Sequence, residues 1–329
     1  MAEKVGMIGL GNMGTTIGNV IAKNGHNVTG WEYNADVVGE INANHTNTLY
    51  LRGVTLHNNL VATSYIADVF TGKSIVFVAL PSMFIANVLG SYKGVVSPSV
   101  IIVNLAKGID KNTGRTAFEM IADFFPANNK VMVSGPSIAN EISKGMPTAV
   151  VAAGPDDISL RTVKKVLGNR DLFVSLSHVA RGIELGGILK NIYAIGLGVF
   201  DGKKITSINF RSIYLTMALH EMAQTGLHLG AKPETFSFIS GVGDLFATSL
   251  SEHSHNRRLG ELMTACVSLN QVRLQMGILP EGYNTLEAFL NIAKRKGFRM
   301  PLAQALWDVI HCRIDTDTFV HTIIKGLIP

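Results

Sequence analysis

Six short β-branched runs punctuate the first half of this chain, and none follows Leu176. They are "KVGMIG", "HNVTGW", "SIVFVAL", "SVIIVNLA", "KVMVSG" and "TAVVAA". Segments of helical pattern lie between them, the first from about Met13 to Asn24. Runs that are apolar on both faces cannot form a sheet with one side in water. They predict a mostly parallel, doubly wound sheet with helices on both faces. Beyond Leu176 helical patterns take over at 180–200, 209–228, 257–276, 284–296 and 301–311. The expected architecture is an α/β N-terminal domain over residues 1–180 and an all-α C-terminal domain over 181–329.

Composition narrows the function classes. A chain of 329 residues, 47% hydrophobic and 16% charged, is large enough and apolar enough for two packed cores. Its net charge of +5 comes from scattered lysines and arginines. With no basic block and no aromatic–basic interleaving, no nucleic-acid partner is expected, and the excess charge suits an anionic small molecule. The apolar runs are strand-length, well short of the roughly 18 residues of a membrane helix, so no membrane insertion is expected. Met1–Leu10 carries no secretory h-region. Cys266 and Cys312 are too few for a disulfide framework or a four-ligand zinc site, which points to a reducing cytoplasm.

"GLGNMG" sets Gly9, Gly11 and Gly14 between a predicted strand and a predicted helix. In this pattern the first glycine makes the turn, the second admits a pyrophosphate, and the third allows close helix–strand packing. The helix N-terminus then offers free N–H groups to the phosphates. The doubly wound sheet is therefore expected to be of the Rossmann, dinucleotide-binding type. Glu32 stands where the second strand should end, placed to accept from a ribose 2′-OH and to repel a 2′-phosphate. Tyr33 follows, with no arginine to pair such a phosphate, so NAD is expected over NADP.

Three more strands end in polar loops: "VALPS" with Pro81, "VNLAKGI" with Lys107, and "VSGPSIANE" with Gly135, Ser137 and Ala139. In a parallel sheet these loops open at one edge, where ligands bind, so Lys107, Ser137 and free N–H groups should converge beside the nicotinamide. In the helical half, "ELGGILKNIYAIGLGVF" buries nearly every helical direction, yet carries Lys190 and Asn191 at its centre. An ammonium there must snorkel to water or be paired. Gly186 and Gly187, one turn earlier, would let a ligand or another backbone come close. A lysine beside a nicotinamide can stabilise charge on a substrate carbonyl oxygen and exchange its proton, and burial with a second cation would lower its pKa. Further on, "GVGDLFATSLSEHSHNRRLGE" supplies Asp244, which could orient Lys190 or hold a substrate hydroxyl, and Asn256, Arg257 and Arg258, suited to a phosphate.

"VALPS", "AKGI", "SGPSIANE", "ELGGILKNIYAI", "GVGDL" and "SHNRRLGE", in this order and spacing, resemble the bacterial NAD(P)-dependent glycerol-3-phosphate dehydrogenase family. The resemblance runs from the first strand to at least "LPEGYNT". It implies reversible reduction of dihydroxyacetone phosphate to sn-glycerol 3-phosphate for phospholipid synthesis, by a homodimer. By the same resemblance Lys190, Lys107 and Asp244 are the catalytic set, with Lys190 the proton donor and acceptor. Lys107, Gly135, Ser137, Lys190, Asn191, Asp244, Thr248, Ser254, His255 and Asn256 would meet the substrate. Gly9, Gly11, Asn12, Met13, Gly14, Glu32, Tyr33, Pro81, Lys107, Ala139, His255, Leu279 and Glu281 would meet the cofactor. No metal is implied.

The chain departs from the family pattern at several places. Asn12-Met13 replaces Ser-Trp, Tyr33 replaces arginine, and His255 replaces the arginine of a Ser-Arg-Asn pocket. Met217 follows Thr216 where the family has arginine, and "GKKITSIN" replaces a glycine-rich loop. A protonated His255, or Arg257 shifting inward, could substitute for the missing charge. Two other readings stay open. "GLGNMG" with "NGHNV" is similar to the β-hydroxyacid dehydrogenases, which act on carboxylates, and loss of the two arginines suits a non-catalytic NAD(H)-binding regulator.

Overall fold

The computed structural model describes residues 2–326 apart from Asn112, Glu252, His253 and Ile278. The chain forms two compact units, Met1–Lys107 with Thr116–Glu184, and Gly108–Arg115 with Leu185–Pro329.

The first unit is built on one sheet. Its strands are β1 (Lys4–Ile8), β2 (Asn27–Trp31), β3 (Leu60–Thr63), β4 (Ile75–Val78), β5 (Ile101–Asn104), β6 (Lys130–Ser134), β7 (Thr148–Ala153) and β8 (Leu172–Ser177). Their spatial order is β3-β2-β1-β4-β5-β6-β7-β8. Between them run α1 (Asn12–Lys23), α2 (Ala35–Asn44), α3 (Ser82–Leu89), α4 (Ala117–Phe124), α5 (Ala139–Ser143) and α6 (Asp157–Leu167). Strand residues alternate between two cores because successive side chains leave opposite faces. Ile75 and Phe77 pack with Ile17 and Ile21 of α1 and Val163 of α6. Val76 and Val78 pack with Ile85 of α3 and Ile121 of α4.

β1 to β6 pair in parallel, whereas β7 runs antiparallel to β6 and carries β8 parallel to itself. The β6–β7 connection, holding only the short α5, returns the chain without a full crossover. Two strands, β3 and β8, lie outside the six runs. Both are edge strands, and their burial alternates along the chain. An edge strand needs fewer apolar residues than a central one, which weakens its signature.

The second unit is helical. It takes α7 (Ala180–Gly202) from Leu185 onward, then α8 (Ile208–His228), α9 (Asp244–Leu250), α10 (His255–Met263), α11 (Leu269–Met276), α12 (Glu281–Lys296), α13 (Pro301–Ile310) and α14 (Thr316–Lys325). A 3₁₀ turn at Pro233–Ser237 and a π-helical turn at Ile239–Gly243 precede α9. Leu185, Ile188, Leu189, Ile192 and Tyr193 of α7 are fully buried, and full burial of such a side chain contributes about 1.5–3 kcal/mol. Ile109, from the segment preceding α4, packs into this helical core.

Three expectations are corrected. The single helix read over 257–276 is two, α10 and α11. Between them Cys266 adopts φ 53°, and Ser268 with Gln271 forms a capping box that starts α11 afresh. Helix α7 is, after all, long and apolar enough to cross a membrane by length and composition, but 94% of its apolar window is buried inside the protein. Cys266 and Cys312 do pair. A disulfide joins them across a Cα separation of 6.0 Å, tying the segment after α10 to the segment after α13. That bridge removes the cysteine argument for a reducing compartment.

Candidate active site

The chemistry-bearing residues of the first unit gather at the carboxyl ends of its parallel strands. After β1, Gly9 turns with φ 93°, and a Cβ on Gly14 would collide with the Gly9 carbonyl oxygen, so only glycine lets α1 start this close to the strand. A Cβ on Gly11 would meet nothing within 4 Å. Gly11 also caps α1 without a side-chain hydrogen bond, so no capping side chain occupies the first-turn N–H groups at Asn12, Met13 and Gly14, the kind of group that takes an external acceptor. Open space at Gly11 beside an uncapped helix start fits the pyrophosphate of a dinucleotide.

Glu32, directly after β2, is buried. Its Oε2 accepts from Leu10 N–H at 3.3 Å and its Oε1 from Asn34 N–H at 3.2 Å. The carboxylate therefore braces the glycine turn, a structural duty not read from the sequence, and each oxygen retains lone-pair capacity for a further donor. Tyr33 is exposed. Its hydroxyl meets that of Tyr50, a neighbour the sequence reading missed. Burial, then this hydrogen bond, then the charge of Glu32 push the Tyr50 phenol up to about 12. No local pattern marks Tyr50, because the loop after α2 brings it in.

Farther along the same edge, Pro81 is exposed at the start of α3 and Ala139 is buried at the start of α5. Lys107, after β5, donates from Nζ to the Gly135 carbonyl at 3.0 Å and lies 3.3 Å from Ser137 Oγ, both after β6. Adjacent parallel strands thus bring Lys107, Gly135 and Ser137 together. The strand order reverses between β1 and β4, the place in such sheets where ligands bind.

In the second unit Lys190 does not snorkel. Its Nζ lies 2.6 Å from Asp244 Oδ1 and 2.6 Å from Thr248 Oγ1. The lysine side chain is 12% exposed and that of Asp244 1%, so the pair is largely dry and each charge needs the other. Asp244 and Thr248 sit one turn apart on α9 and therefore share a face. Beside Lys190, buried Asn191 accepts at Oδ1 from Asn256 Nδ2 at 3.0 Å, while Asn256 Oδ1 accepts from Gly282 N–H at 3.0 Å. Asn256 thereby links α7 to the start of α12, next to Glu281. Leu279 packs on the helical core.

Ser254 caps α10, its Oγ accepting from Arg257 N–H at 3.4 Å. His255 is exposed on the first turn of α10. Arg257 is not available to shift inward. Its Nε and Nη2 hold Asp201 Oδ2 at 2.9 and 2.7 Å, and its Nη1 donates to the carbonyls of Ser249 and Ser251 at 2.9 and 3.0 Å. A guanidinium spent on four such bonds is a structural tie.

Comparison with known proteins identifies the family. The family model described as NAD-dependent glycerol-3-phosphate dehydrogenase N-terminus matches residues 4–159, and its C-terminus counterpart matches residues 180–321. This chain belongs to the NAD-dependent glycerol-3-phosphate dehydrogenase family. A glycerol-3-phosphate dehydrogenase, NAD(P)+, of Geobacter sulfurreducens is 36% identical over 94% of this chain and 93% of its own length. One from Geobacillus kaustophilus is 34% identical over 98% and 94%. The crystal structure of glycerol-3-phosphate dehydrogenase from Coxiella burnetii has a TM-score of 0.91 with 27% identity, covering 98% of this chain and 99% of that one. Membership of this dehydrogenase family agrees with both halves of the sequence reading.

Proposed function

We propose that this protein interconverts dihydroxyacetone phosphate and sn-glycerol 3-phosphate with a nicotinamide dinucleotide, in service of glycerophospholipid synthesis. The observation that carries the proposal is the Lys190 ammonium held at 2.6 Å by both Asp244 and Thr248, in a chain matched in both halves to one dehydrogenase family. When bound, the dinucleotide supplies the hydride. Reduction of the ketone leaves charge on its oxygen, which Lys190 stabilises and protonates. Asp244 and Thr248 fix the amine so that no reorganisation is needed during the step.

In this reading Lys107, Gly135, Ser137, Asn191, Ser254, His255 and Asn256 bind the phosphorylated substrate. The N–H groups at Gly11, Asn12, Met13 and Gly14 bind the pyrophosphate, with Gly9 shaping the turn. Pro81, Ala139, Leu279 and Glu281 are further cofactor contacts. Glu32 and Tyr33 favour NAD over NADP, because a buried carboxylate repels a 2′-phosphate and no arginine follows it. We place the reaction in the cytoplasm and the protein in a homodimer. In that compartment the exposed Cys266–Cys312 bridge would be a reversible one. The 3-oxo-acid and regulator readings are not favoured. Lys190 and Asn191 are adjacent, unlike the separated pair of the β-hydroxyacid enzymes, and the lysine–aspartate pair is intact.

The test is oxidation of NADH on addition of dihydroxyacetone phosphate. The expected result is turnover that falls about a thousandfold in Lys190→Ala, with a higher kcat/KM for NADH than for NADPH. Turnover of 3-oxo acids alone would overturn the substrate assignment, and a preference for NADPH would overturn that of the cofactor.

A further inference from the structure

Lys190 and Asp244 stand on two segments of the helical unit that approach each other closely at Gly186. Gly186 and Lys190 lie one turn apart on α7, while Ser240, Asp244 and Thr248 follow at the same spacing through the π-helical turn and α9. A Cβ on Gly186 would stand 2.6 Å from the Ser240 carbonyl oxygen, 3.1 Å from its carbon and 3.3 Å from Gly241 Cα. All three are backbone atoms, so no side chain can swing aside to make room. The π-helical turn is also crowded within its own segment, because a Cβ on Gly241 would run into the carbonyl of Phe236 in the preceding 3₁₀ turn. Ser240 is fully buried, and its Oγ has no hydrogen-bond partner among the described residues. Its carbonyl is the group that crowds Gly186 of α7. A π-helical turn adds a residue to one turn of helix and so rotates the face that the next helix presents. Here that next face carries Asp244 and Thr248.

We infer that Gly186 and Gly241 are positioning residues, which seat the π-helical turn against α7 and thereby hold Asp244 and Thr248 within reach of the Lys190 amine. The inference rests on the reading of Lys190 as the proton donor. An alanine at Gly186 would have to displace the turn by about half an ångström, since close-packed backbone has no slack. Hydrogen bonds of 2.6 Å would lengthen, and the amine would lose its fixed direction.

The experiment compares Gly186→Ala with Gly202→Ala, a second crowded glycine near the far end of α7 whose Cβ would meet Thr264 and Glu261. Gly186→Ala should lower kcat for dihydroxyacetone phosphate about tenfold or more, leave its KM nearly unchanged, and displace the pH profile of kcat. Gly202→Ala should keep the parental profile. A folded Gly186→Ala with parental kcat and pH profile, beside an inactive Lys190→Ala, would overturn the positioning role and leave the lysine assignment standing. An active Lys190→Ala would overturn both. If Gly186→Ala does not fold, Gly241→Ala is read by the same criteria. Failure of both to fold, with Gly202→Ala folded, would assign the close approach to stability and overturn the inference.

Discussion

Lys190 shows how one residue can be legible as an anomaly and yet ambiguous in meaning. Its place on an apolar helix demanded a partner, and Asp244 stood out as an acid after a glycine-rich turn. Thr248 as the second partner depended on the fold, because helical spacing puts it behind Asp244 only once α9 exists. In the proposed site, the residues assigned to the phosphate are the chemically weaker ones. His255 stands where the family pattern has arginine, and it is exposed on the first turn of α10. Arg257 cannot compensate, since Asp201 and two carbonyls already hold it. A guanidinium is always charged and grips phosphate in two-pronged fashion, which imidazole cannot do. His255→Arg should therefore lower the KM for dihydroxyacetone phosphate about tenfold, equivalent to about 1.4 kcal/mol. An unchanged KM in initial-rate measurements would remove His255 from the phosphate site.

Among the elements, α10 carries a side chain that ties it to two others. Arg257 joins it to Asp201 of α7 and to the Ser249 and Ser251 carbonyls at the end of α9, with the ion pair mostly buried. Removing one partner of such a group leaves the others short of a donor, so Arg257→Ala should cost about 3 kcal/mol. Urea unfolding would read this as a lower midpoint, with Arg257→Lys falling between the two. A midpoint equal to the parent's would mean that the tie carries no stability. The same region shows why helix boundaries are hard to read. The 257–276 pattern is apolar at helical spacing throughout, and its interruption is announced only by Ser268 and Gln271, whose reciprocal capping bonds form the box. That Ser-x-x-Gln signal was present in the sequence, but periodicity masked it. β3 and β8 were obscured for a different reason, since strands at a sheet edge keep part of their surface in water.

For the whole molecule, a consequence of burial can be measured as pH dependence. Glu184 is 1% exposed and accepts Phe118 N–H at 3.2 Å. Burial pushes its carboxyl from the ordinary 4.5 up to about 7, against the hydrogen bond from Thr116 and the charge of Arg181. Folding thus favours the protonated form. The associated stability is complete below the ordinary carboxylate range and is lost as pH rises through about 7. Between about pH 5 and pH 8 the parent should lose about 3 kcal/mol relative to Glu184→Gln, which has no such titration. Parallel denaturation curves for the two proteins at both pH values would contradict it. What the sequence determined by itself is whatever depends on short-range order: the α/β-then-helical division, the glycine turn with Glu32 at its expected spacing, and a buried lysine in need of a partner. The tertiary structure alone decided which distant groups meet. It paired Cys266 with Cys312, locked Arg257 onto Asp201, brought Tyr50 to Tyr33, and seated Ser240 against Gly186. Each of these depends on backbone paths far apart along the chain. Periodicity and spacing constrain a residue's own neighbourhood, whereas close packing selects its partners.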